Sequence, residues 1–343
     1  MILVTGASGL VGSHLLCKLT QDEAIVRALY RSENRKQDTK KIFIFYFKEE
    51  AEYFFNKIEW IKGDILSLTD LELLFHNITH VYHCAALVSF HKIDFHRCMQ
   101  VNRAGTANIV NFCLKHKVEK LCYVSSTAAL SYNSNGLTDE SFKWIPGPEV
   151  SGYSISKFAA EKEIWRGIEE GLKAVIINPC VILGPGNWKE SSLSIFKSAS
   201  KGIGFYPSGS NAIVDVRDVV YSMHYLMNAE ISSKKFLCTG PNIAFKELLE
   251  ALALLFNKKA PKIKSPRWLS LVVASFSELI NLILRKRNGL TIESVYSAYK
   301  NITYDNRLIC ETTGVQFHTL TDTLEHAIKG KIEQNGDEIS KNK

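Results

Sequence analysis

Three closely spaced glycines near the start of the chain limit the folds open to it. Gly6, Gly9 and Gly12 stand between an apolar segment that predicts a strand, Ile2–Thr5, and an amphipathic one that predicts a helix, Leu10–Thr20. In this setting the first glycine permits a tight turn, the second lets the backbone approach a pyrophosphate, and the third lets the helix pack close to the strand. The start of the helix would offer free N–H groups and a partial positive charge to the phosphates. The segment therefore predicts a dinucleotide-binding turn.

Apolar and amphipathic segments continue to alternate through the first half of the chain. The runs rich in Val, Ile and Leu predict strands at Ile25–Tyr30, Ile58–Ile61, Val81–Cys84, Leu121–Ser125 and Ala174–Asn178. The segments between them include predicted helices at Leu68–His76, Met99–Lys115 and Tyr153–Glu170. Such βαβ units indicate an α/β fold, a doubly wound parallel Rossmann sheet with helices on both faces.

Two regions depart from this alternation. Residues 33–57 form a long insertion after the second strand, and we predict a helix in its second half, over the sheet edge. From about residue 245 onward the sequence favours helices. We therefore predict a nucleotide-binding domain at 1–178 with return elements near 213–240, a smaller, mostly helical substrate lobe at 179–330, and a disordered tail at 331–343.

The apolar segment Trp268–Leu284 raises the question of a membrane. It carries Glu278, Asn281 and several serines, and it is slightly short for a span. We expect a buried or groove-lining helix and no membrane contact, with peripheral contact through this helix as the open alternative.

The composition excludes several classes of protein. With 46% hydrophobic and 22% charged residues among 343, the chain is neither a disordered tail nor a small disulfide scaffold. A net charge of +7 is too weak to indicate nucleic acid as a partner. None of the 8 cysteines forms a C-x-x-C pair, which favours reduced, buried thiols and a cytoplasmic protein. The histidines lack partners at metal-ligand spacing, so we predict no metal site.

Tyr153 and Lys157 are candidate catalytic residues. Because they are four residues apart in a predicted helix, they share one face. A phenol with a pKa near 10 is a poor acid–base catalyst at neutral pH, and a nearby ammonium would stabilise the phenolate and lower that pKa. The pair follows a Ser125-Ser126 dipeptide at the end of the fifth strand, the edge at which α/β sheets carry ligands.

Further motifs extend the pattern along nearly the whole chain. The glycine spacing is G-x-x-G-x-x-G, and the later motifs are Gly63-Asp64, His83-Cys84-Ala85-Ala86, Asn102 to Asn108, Ser125-Ser126, Tyr153-x-x-x-Lys157, and Asn178-Pro179 to Gly184-Pro185-Gly186. In this order they resemble the extended short-chain dehydrogenase/reductase family. Within it the chain is most similar to the dihydroflavonol-reductase and 3β-hydroxysteroid-dehydrogenase-like branch, and to proteins described as NAD-dependent epimerase/dehydratase.

The resemblance implies a role for each catalytic candidate. Ser126 would hydrogen-bond the substrate oxygen, Tyr153 would exchange a proton with it, and Lys157 would support the phenolate and bind the nicotinamide ribose. Asn102 would anchor a water for proton relay. The cofactor-binding set implied by the motifs is Gly6, Ser8, Gly9, Leu10, Val11, Gly12, Arg31, Asp64, Ile65, Ala85, Ala86, Val88, Tyr153, Lys157, Pro179 and Ile182.

The end of the second strand bears on the choice of cofactor. NAD-binding chains place a carboxylate there for the ribose 2′-hydroxyl, whereas this chain has Tyr30-Arg31. A guanidinium at Arg31 suits a 2′-phosphate, so we predict NADP, with NAD possible. By resemblance Asp64 would accept from the adenine amino group. It could equally cap a helix over Leu66–Leu74.

Three functions remain open at this point. The first is an NADP-dependent oxidoreductase acting on a small-molecule carbonyl or alcohol. The second is a nucleotide-sugar epimerase or dehydratase that retains NAD. Arg31 argues against this function, and so does the absence of an Asp-Glu pair after Ser126. The third is a non-enzymatic NADP-binding sensor, against which stands the complete Ser126, Tyr153, Lys157 set. The family resemblance also predicts a homodimer in which Met99–Lys115 and Tyr153–Glu170 pair across a two-fold axis.

Overall fold

A parallel sheet forms the centre of the protein. The computed structural model describes residues 1–133, 136–189, 191–284 and 289–334. The strands are β1 Ile2–Thr5, β2 Val26–Tyr30, β3 Ile58–Lys62, β4 His80–His83, β5 Lys120–Val124, β6 Leu137–Thr138, β7 Ala174–Pro179, β8 Val181–Leu183, β9 Phe205–Tyr206, β10 Ser210–Asp215, β11 Lys234–Cys238, β12 Asn242–Ala244, β13 Ile263–Lys264 and β14 Thr303–Tyr304.

Helices cover both faces of this sheet and build most of the C-terminal lobe. They are α1 Leu10–Gln21, α2 Glu33–Phe47, α3 Ala51–Asn56, α4 Leu68–Leu74, α5 Phe95–Cys98, α6 Gly105–Lys115, α7 Gly152–Glu169, α8 Ser194–Ser200, α9 Val216–Asn228, α10 Phe245–Leu255, α11 Arg267–Leu284, α12 Ile292–Ala298, α13 Arg307–Thr313 and α14 Leu320–Gln334. A π-helical segment, Met99–Ala104, joins α5 to α6.

The main sheet confirms the predicted fold class. Among the described residues it has seven strands in the order β3-β2-β1-β4-β5-β7-β11, and every neighbouring pair is parallel. The predicted strands agree with the observed ones to within one or two residues. β11 comes from the return segment and closes the sheet beside β7. Strand order reverses between β1 and β4, which opens a crevice at the carboxyl ends of these two strands.

The insertion after β2 is more helical than predicted. We expected a helix in the second half of residues 33–57 only, whereas α2 begins at Glu33 and α3 ends at Asn56. The aromatic side chains explain the difference, because rings of the two helices pack on each other, with the Phe47 and Phe54 centroids 4.3 Å apart. Lys48, with a positive φ of 52°, makes the bend between them.

Helix α11 corrects a second prediction. Trp268–Leu284 is helical as expected, but it is neither buried nor groove-lining, since one side of the helix exposes large apolar side chains. Periodicity shows that a helix has an apolar side and does not show whether another element covers that side. Among the described residues, no helix is both long and apolar enough to cross a membrane.

The C-terminal lobe has an apolar core of its own. Leu183, Phe196, Leu248, Leu252 and Leu324 are buried together between the strands and helices that follow β7. Helix α14 extends to Gln334, so residues 331–334 belong to this helix and not to the predicted tail. The rest of that predicted tail, 335–343, lies outside the described residues.

Candidate active site

The glycine turn brings β1, α1 and the loop after β4 into close contact. Gly6 has a φ of +66°, and a Cβ added there would lie 2.5 Å from the backbone nitrogen of Ala85. A Cβ on Gly12 would lie 2.2 Å from the carbonyl oxygen of Gly6. Both distances are far below van der Waals contact, so only glycine fits at these two positions. The Gly9 N–H donates to the Gly6 carbonyl at 3.0 Å and completes the turn.

The start of α1 fits a pyrophosphate. Its N-cap, Gly9, has no side chain to cap the helix, and the first turn carries no acidic residue. Ser8 precedes this end, and Leu10 and Val11 form the first positions of the helix. The helix therefore directs backbone N–H groups and the positive end of its dipole into the crevice between β1 and β4.

Arg31 and Asp64 lie together at the ends of β2 and β3. The Arg31 guanidinium and the Asp64 carboxylate are 3.8 Å apart, and both side chains are exposed. Asp64 accepts from the Leu66 N–H at 3.0 Å, whereas α4 is capped by Ser67. The alternative of Asp64 as a helix N-cap is therefore wrong. Ile65 is buried, and its Cδ1 lies only 2.4 Å from the position of a Cβ on Gly105.

The other predicted cofactor residues lie in the loop after β4, at the end of β7 and in β8. Ala85 lies under Gly6, while Ala86 and Val88 are exposed in the loop that follows β4. Pro179 ends β7, and Ile182 lies in β8. The Asn178 amide donates to the Ser126 carbonyl at 2.9 Å, which holds the ends of β5 and β7 together.

Ser126 and Tyr153 meet at this edge of the sheet. Ser126 Oγ accepts from the Ala128 N–H at 3.1 Å, and Tyr153 is 8% exposed. Burial raises the pKa of Tyr153 to about 12, against the opposing effect of a side-chain hydrogen bond with Ser126. The Phe90 ring packs against Tyr153 with 5.8 Å between centroids. Ser125 is directed elsewhere, since its hydroxyl donates to Glu161 at 2.6 Å.

Lys157 is buried beneath the sheet edge. Its Nζ donates to the Tyr123 hydroxyl and to the Val124 carbonyl, both at 2.8 Å. Burial lowers the pKa of Lys157 to about 7, and Glu161, one helical turn later, opposes that shift. We predicted from the sequence that Lys157 would lower the pKa of Tyr153. In the structure that pKa is raised instead, because burial of the phenol dominates.

Asn102 connects the loop after β4 to helix α7. Its amide nitrogen donates to Ser156 Oγ at 2.8 Å and to the Leu87 carbonyl at 3.0 Å, and its oxygen accepts from the Leu87 N–H at 2.7 Å. These bonds position the loop that carries Val88 beside the helix that carries Tyr153. The role of Asn102 in water-mediated proton relay stays a prediction.

Sequence reasoning missed a buried carboxylate in this cluster. Glu161 accepts from Ser125 and, at 2.5 Å, from the Asn178 amide, and its burial raises its pKa. It stands four residues after Lys157, on the same face of α7, and that spacing is the signal from which it could have been found. Its two bonds join α7 to β5 and β7, so it positions the strand ends that carry Ser126.

His83 is a second buried polar residue without a role assigned from sequence. Its ring nitrogens lie 2.7 Å from Thr5 Oγ1 and 2.9 Å from Thr106 Oγ1. Burial lowers its pKa to about 3, so the ring is neutral. His83 also stacks on Tyr123, at 5.4 Å between centroids, and thereby supports the hydroxyl that accepts from Lys157.

Comparison with known proteins agrees with this geometry. The model of the NAD dependent epimerase/dehydratase family matches residues 2–236. The chain belongs to this family. This family is of the extended short-chain dehydrogenase/reductase type. Its members are NAD(P)-dependent oxidoreductase-type enzymes, and so is this chain.

Among the described residues, no group of three His, Cys, Asp or Glu side chains could hold a metal ion.

Relatives within the NAD dependent epimerase/dehydratase family carry different names. A dihydroflavonol 4-reductase-like protein of Synechocystis sp. is 26% identical over 333 residues, which cover 95% of this chain and 92% of that protein. The UDP-glucose 4-epimerase of Vibrio cholerae is 28% identical over 284 residues, 78% of this chain and 79% of that enzyme. The crystal structure of gox2253 matches with a TM-score of 0.79 and 25% identity, covering 98% of both chains.

The buried state of Lys157 predicts a pH-dependent stability. Its pKa is about 7 in the folded protein and near 10.5 in the unfolded chain. Between these values the unfolded chain binds a proton that the folded protein does not, so the free energy of unfolding rises with pH. We expect Lys157→Met to remove that rise. Urea unfolding at several pH values from about 7 to about 10 should show the difference between wild type and variant change by a few kcal/mol.

Lys115→Met is the matched control for this experiment. Lys115 is exposed on α6 and pairs with Glu72, so its removal should leave the pH dependence as in the wild type. A constant difference between the wild type and Lys157→Met across the range would mean that Lys157 titrates like an exposed lysine.

Proposed function

We propose that this enzyme is an NADP-dependent, dihydroflavonol-reductase-like oxidoreductase that interconverts a carbonyl and an alcohol in a small, largely apolar molecule. The observation that carries the proposal is the meeting of Ser126 and the Tyr153 phenol at the carboxyl edge of the sheet, above the buried Lys157. The full-length similarity to a dihydroflavonol 4-reductase-like protein supports the same reaction class.

The residues at this edge can perform the proton chemistry. Bound nicotinamide would supply or accept the hydride. Because burial raises the pKa of Tyr153 to about 12, the phenol is protonated at neutral pH and can donate to the oxygen of a carbonyl undergoing reduction. The Ser126 hydroxyl can donate a second hydrogen bond to that oxygen and stabilise its developing negative charge. Lys157, whose pKa is about 7, lies one helical turn after Tyr153, and its protonated form would favour the phenolate that remains.

The cofactor would lie along the crevice, with its pyrophosphate at Gly9 and the start of α1. Its adenosine end would reach the tips of β2 and β3. Arg31, exposed at the end of β2, would pair with a 2′-phosphate, and Asp64 lies beside it. In this arrangement residues 1–178, with the return elements near 213–240, form the nucleotide-binding domain, and the lobe from 179 to 330 selects the substrate.

A nucleotide-sugar epimerase with retained NAD is the second candidate. The relative from Vibrio cholerae favours it. Against it, the end of β2 carries Arg31 where a carboxylate would bind the ribose of NAD. A sensor that binds NADP without turnover would have no use for the Ser126, Tyr153 and Lys157 set.

Removal of the phenol hydroxyl tests the proposed reaction. We expect Tyr153→Phe to lower kcat by about a hundredfold to ten-thousandfold, because the proton donor is lost while the ring still packs against Phe90. The measurement is NADPH oxidation with a panel of aromatic and aliphatic ketones and aldehydes, with UDP-glucose tested for epimerisation in parallel. Tyr132→Phe, at an exposed tyrosine, is the control and should keep full activity. Turnover of UDP-glucose alone would favour the epimerase, and turnover of nothing would favour the sensor.

Charge reversal at the end of β2 tests the cofactor. We expect Arg31→Asp to weaken NADPH binding by about tenfold to a hundredfold and to leave NADH binding much less affected, since only NADPH carries the 2′-phosphate. Fluorescence titration of both nucleotides gives the two Kd values. Arg307→Asp is the control, because Arg307 is an exposed arginine that pairs with Asp305 in the C-terminal lobe. Equal weakening of both nucleotides by Arg31→Asp would contradict the NADP preference.

We also propose a homodimer formed by α6 and α7 with the π-helical segment before α6. A shallow groove with a volume of about 310 Å³ lies on these elements, and its lining includes Met99, Ala104, Ala107 and the ion pair of Arg103 with Glu163. Light scattering should give twice the chain mass, and Ala104→Glu should reduce it to the mass of one chain. A wild-type protein that is monomeric at working concentration would refute this.

A further inference from the structure

Helix α11 exposes its apolar side and turns its polar side inward. Its outward stripe, in the described part of the helix, consists of side chains 44% to 66% exposed: Trp268, Val272, Val273, Phe276, Leu279 and Ile280. A helix on the surface of a globular protein normally has the opposite arrangement, with the apolar side against the core. Contiguous apolar surface of this kind marks a contact with something outside the chain.

The inner side of α11 makes the contacts that attach this helix to the rest of the protein. Ser270 shares a hydrogen bond with the Tyr299 hydroxyl at 2.7 Å, and Glu278 accepts from the Ile292 N–H at 2.9 Å. Between them Ala274 is completely buried, and Asn281 is 8% exposed. These contacts fix α11 against α12 through small and polar groups, so the outward stripe contributes nothing to that packing.

A run of positively charged residues leads into this helix along the chain. From residue 251 to residue 277 the sequence contains Lys258, Lys259, Lys262, Lys264 and Arg267 and no acidic residue. All five cations are exposed. An apolar stripe with Trp and Phe beside a row of lysines is the combination that binds an anionic lipid surface: the apolar side chains enter the acyl boundary while the cations meet the headgroups.

We propose that α11 is a membrane-docking helix that lies flat on an anionic lipid surface. Among the described residues no helix could cross a bilayer, so the contact is peripheral. A second copy of the chain is the weaker candidate for this surface, because two copies would bring two sets of lysines together, whereas anionic headgroups neutralise them. The sequence-based expectation of no membrane contact rested on a buried helix, and the exposed stripe removes that basis.

Helices α11 and α12 contact the start of α7, the helix that carries Tyr153. Arg267 pairs with Glu149, just before α7, and Glu293 on α12 accepts from the Gly152 N–H at 3.2 Å. Gly152 directly precedes Tyr153. An apolar substrate dissolved in the bilayer would therefore reach the protein beside its catalytic phenol. This last step rests on the proposed function, whereas the docking itself does not.

Vesicle co-sedimentation of the full chain tests the proposal. We expect the protein to sediment with vesicles of phosphatidylcholine and phosphatidylglycerol and far less with phosphatidylcholine alone. Val273→Ser combined with Phe276→Ser should lower the bound fraction at least about tenfold, and Gln at the four lysines should do the same. Added salt should weaken binding of the wild type, because it screens the lysines. No nucleotide or substrate is present, so the result is independent of the proposed reaction.

Ile25→Ser combined with Leu73→Ser is the matched control. Both side chains are exposed and apolar, at 69% and 73%, but they lie on the nucleotide-binding domain, so this variant should bind vesicles like the wild type. Trp268→Phe gives a second readout, since the blue shift of tryptophan fluorescence on vesicle addition should diminish while binding persists. The variants should keep the melting temperature of the wild type, because the stripe is exposed.

Two results would overturn the proposal. One is wild-type protein that does not sediment with the anionic vesicles, or a serine double variant that sediments as well as the wild type. The other is an oligomer in light scattering that dissociates in the serine double variant and does not bind lipid, which would assign the stripe to a second copy of the chain.

Discussion

The backbone at Gly6, at Gly12 and at Ala85 approaches so closely that it determines where α1 starts relative to the sheet. The turn after β1 rests on the backbone at Ala85, and the Gly6 carbonyl faces Gly12 with no room for a Cβ on either side. Because the separation is so small, α1 starts directly at the carboxyl edge of the sheet, where its N–H groups point into the crevice. The proposed pyrophosphate contact at Gly9 and the start of α1 depends on that position. A side chain at either glycine would move the start of the helix away from the site.

Burial of polar groups sets the chemistry at the other side of the crevice. Lys157 and Glu161 are ionisable residues in the interior, where a polar group is tolerated only with hydrogen-bonding partners. Lys157 finds them on Tyr123 and Val124 in β5, and Glu161 finds them on Ser125 and Asn178 in β5 and β7. The same bonds that satisfy these two buried groups fix α7 to the strand ends. Ser126 and Tyr153 are thus held together by the requirement that the groups beneath them stay paired.

The C-terminal lobe has an outer layer of helices that contacts the start of α7. Its own core holds β8, β10, α8, α10 and α14 together, which leaves α11 and α12 as an outer layer. Inner contacts of α11 are small and polar, and its large apolar side chains point away from the protein. The start of α7 is bonded to this layer, since Glu293 on α12 accepts from the Gly152 N–H, so the outer layer is joined to the helix that carries Tyr153.

The sequence by itself determined the parallel sheet, the glycine turn and the pairing of Tyr153 with Lys157 on one helix face, because each depends on periodicity or on spacing within a single element. It also indicated Arg31 as a cofactor-binding candidate, because that prediction depends only on the position of Arg31 at the end of a strand. Glu161, His83 and the bonds of Asn102 were decided by the tertiary structure, since their partners lie 15 to 78 residues away along the chain, in other segments of the fold. The helical first half of the insertion and the exposure of α11 were decided there too. Sequence pattern shows that a segment has an apolar side, but only the packing of the whole chain determines which sides find a partner.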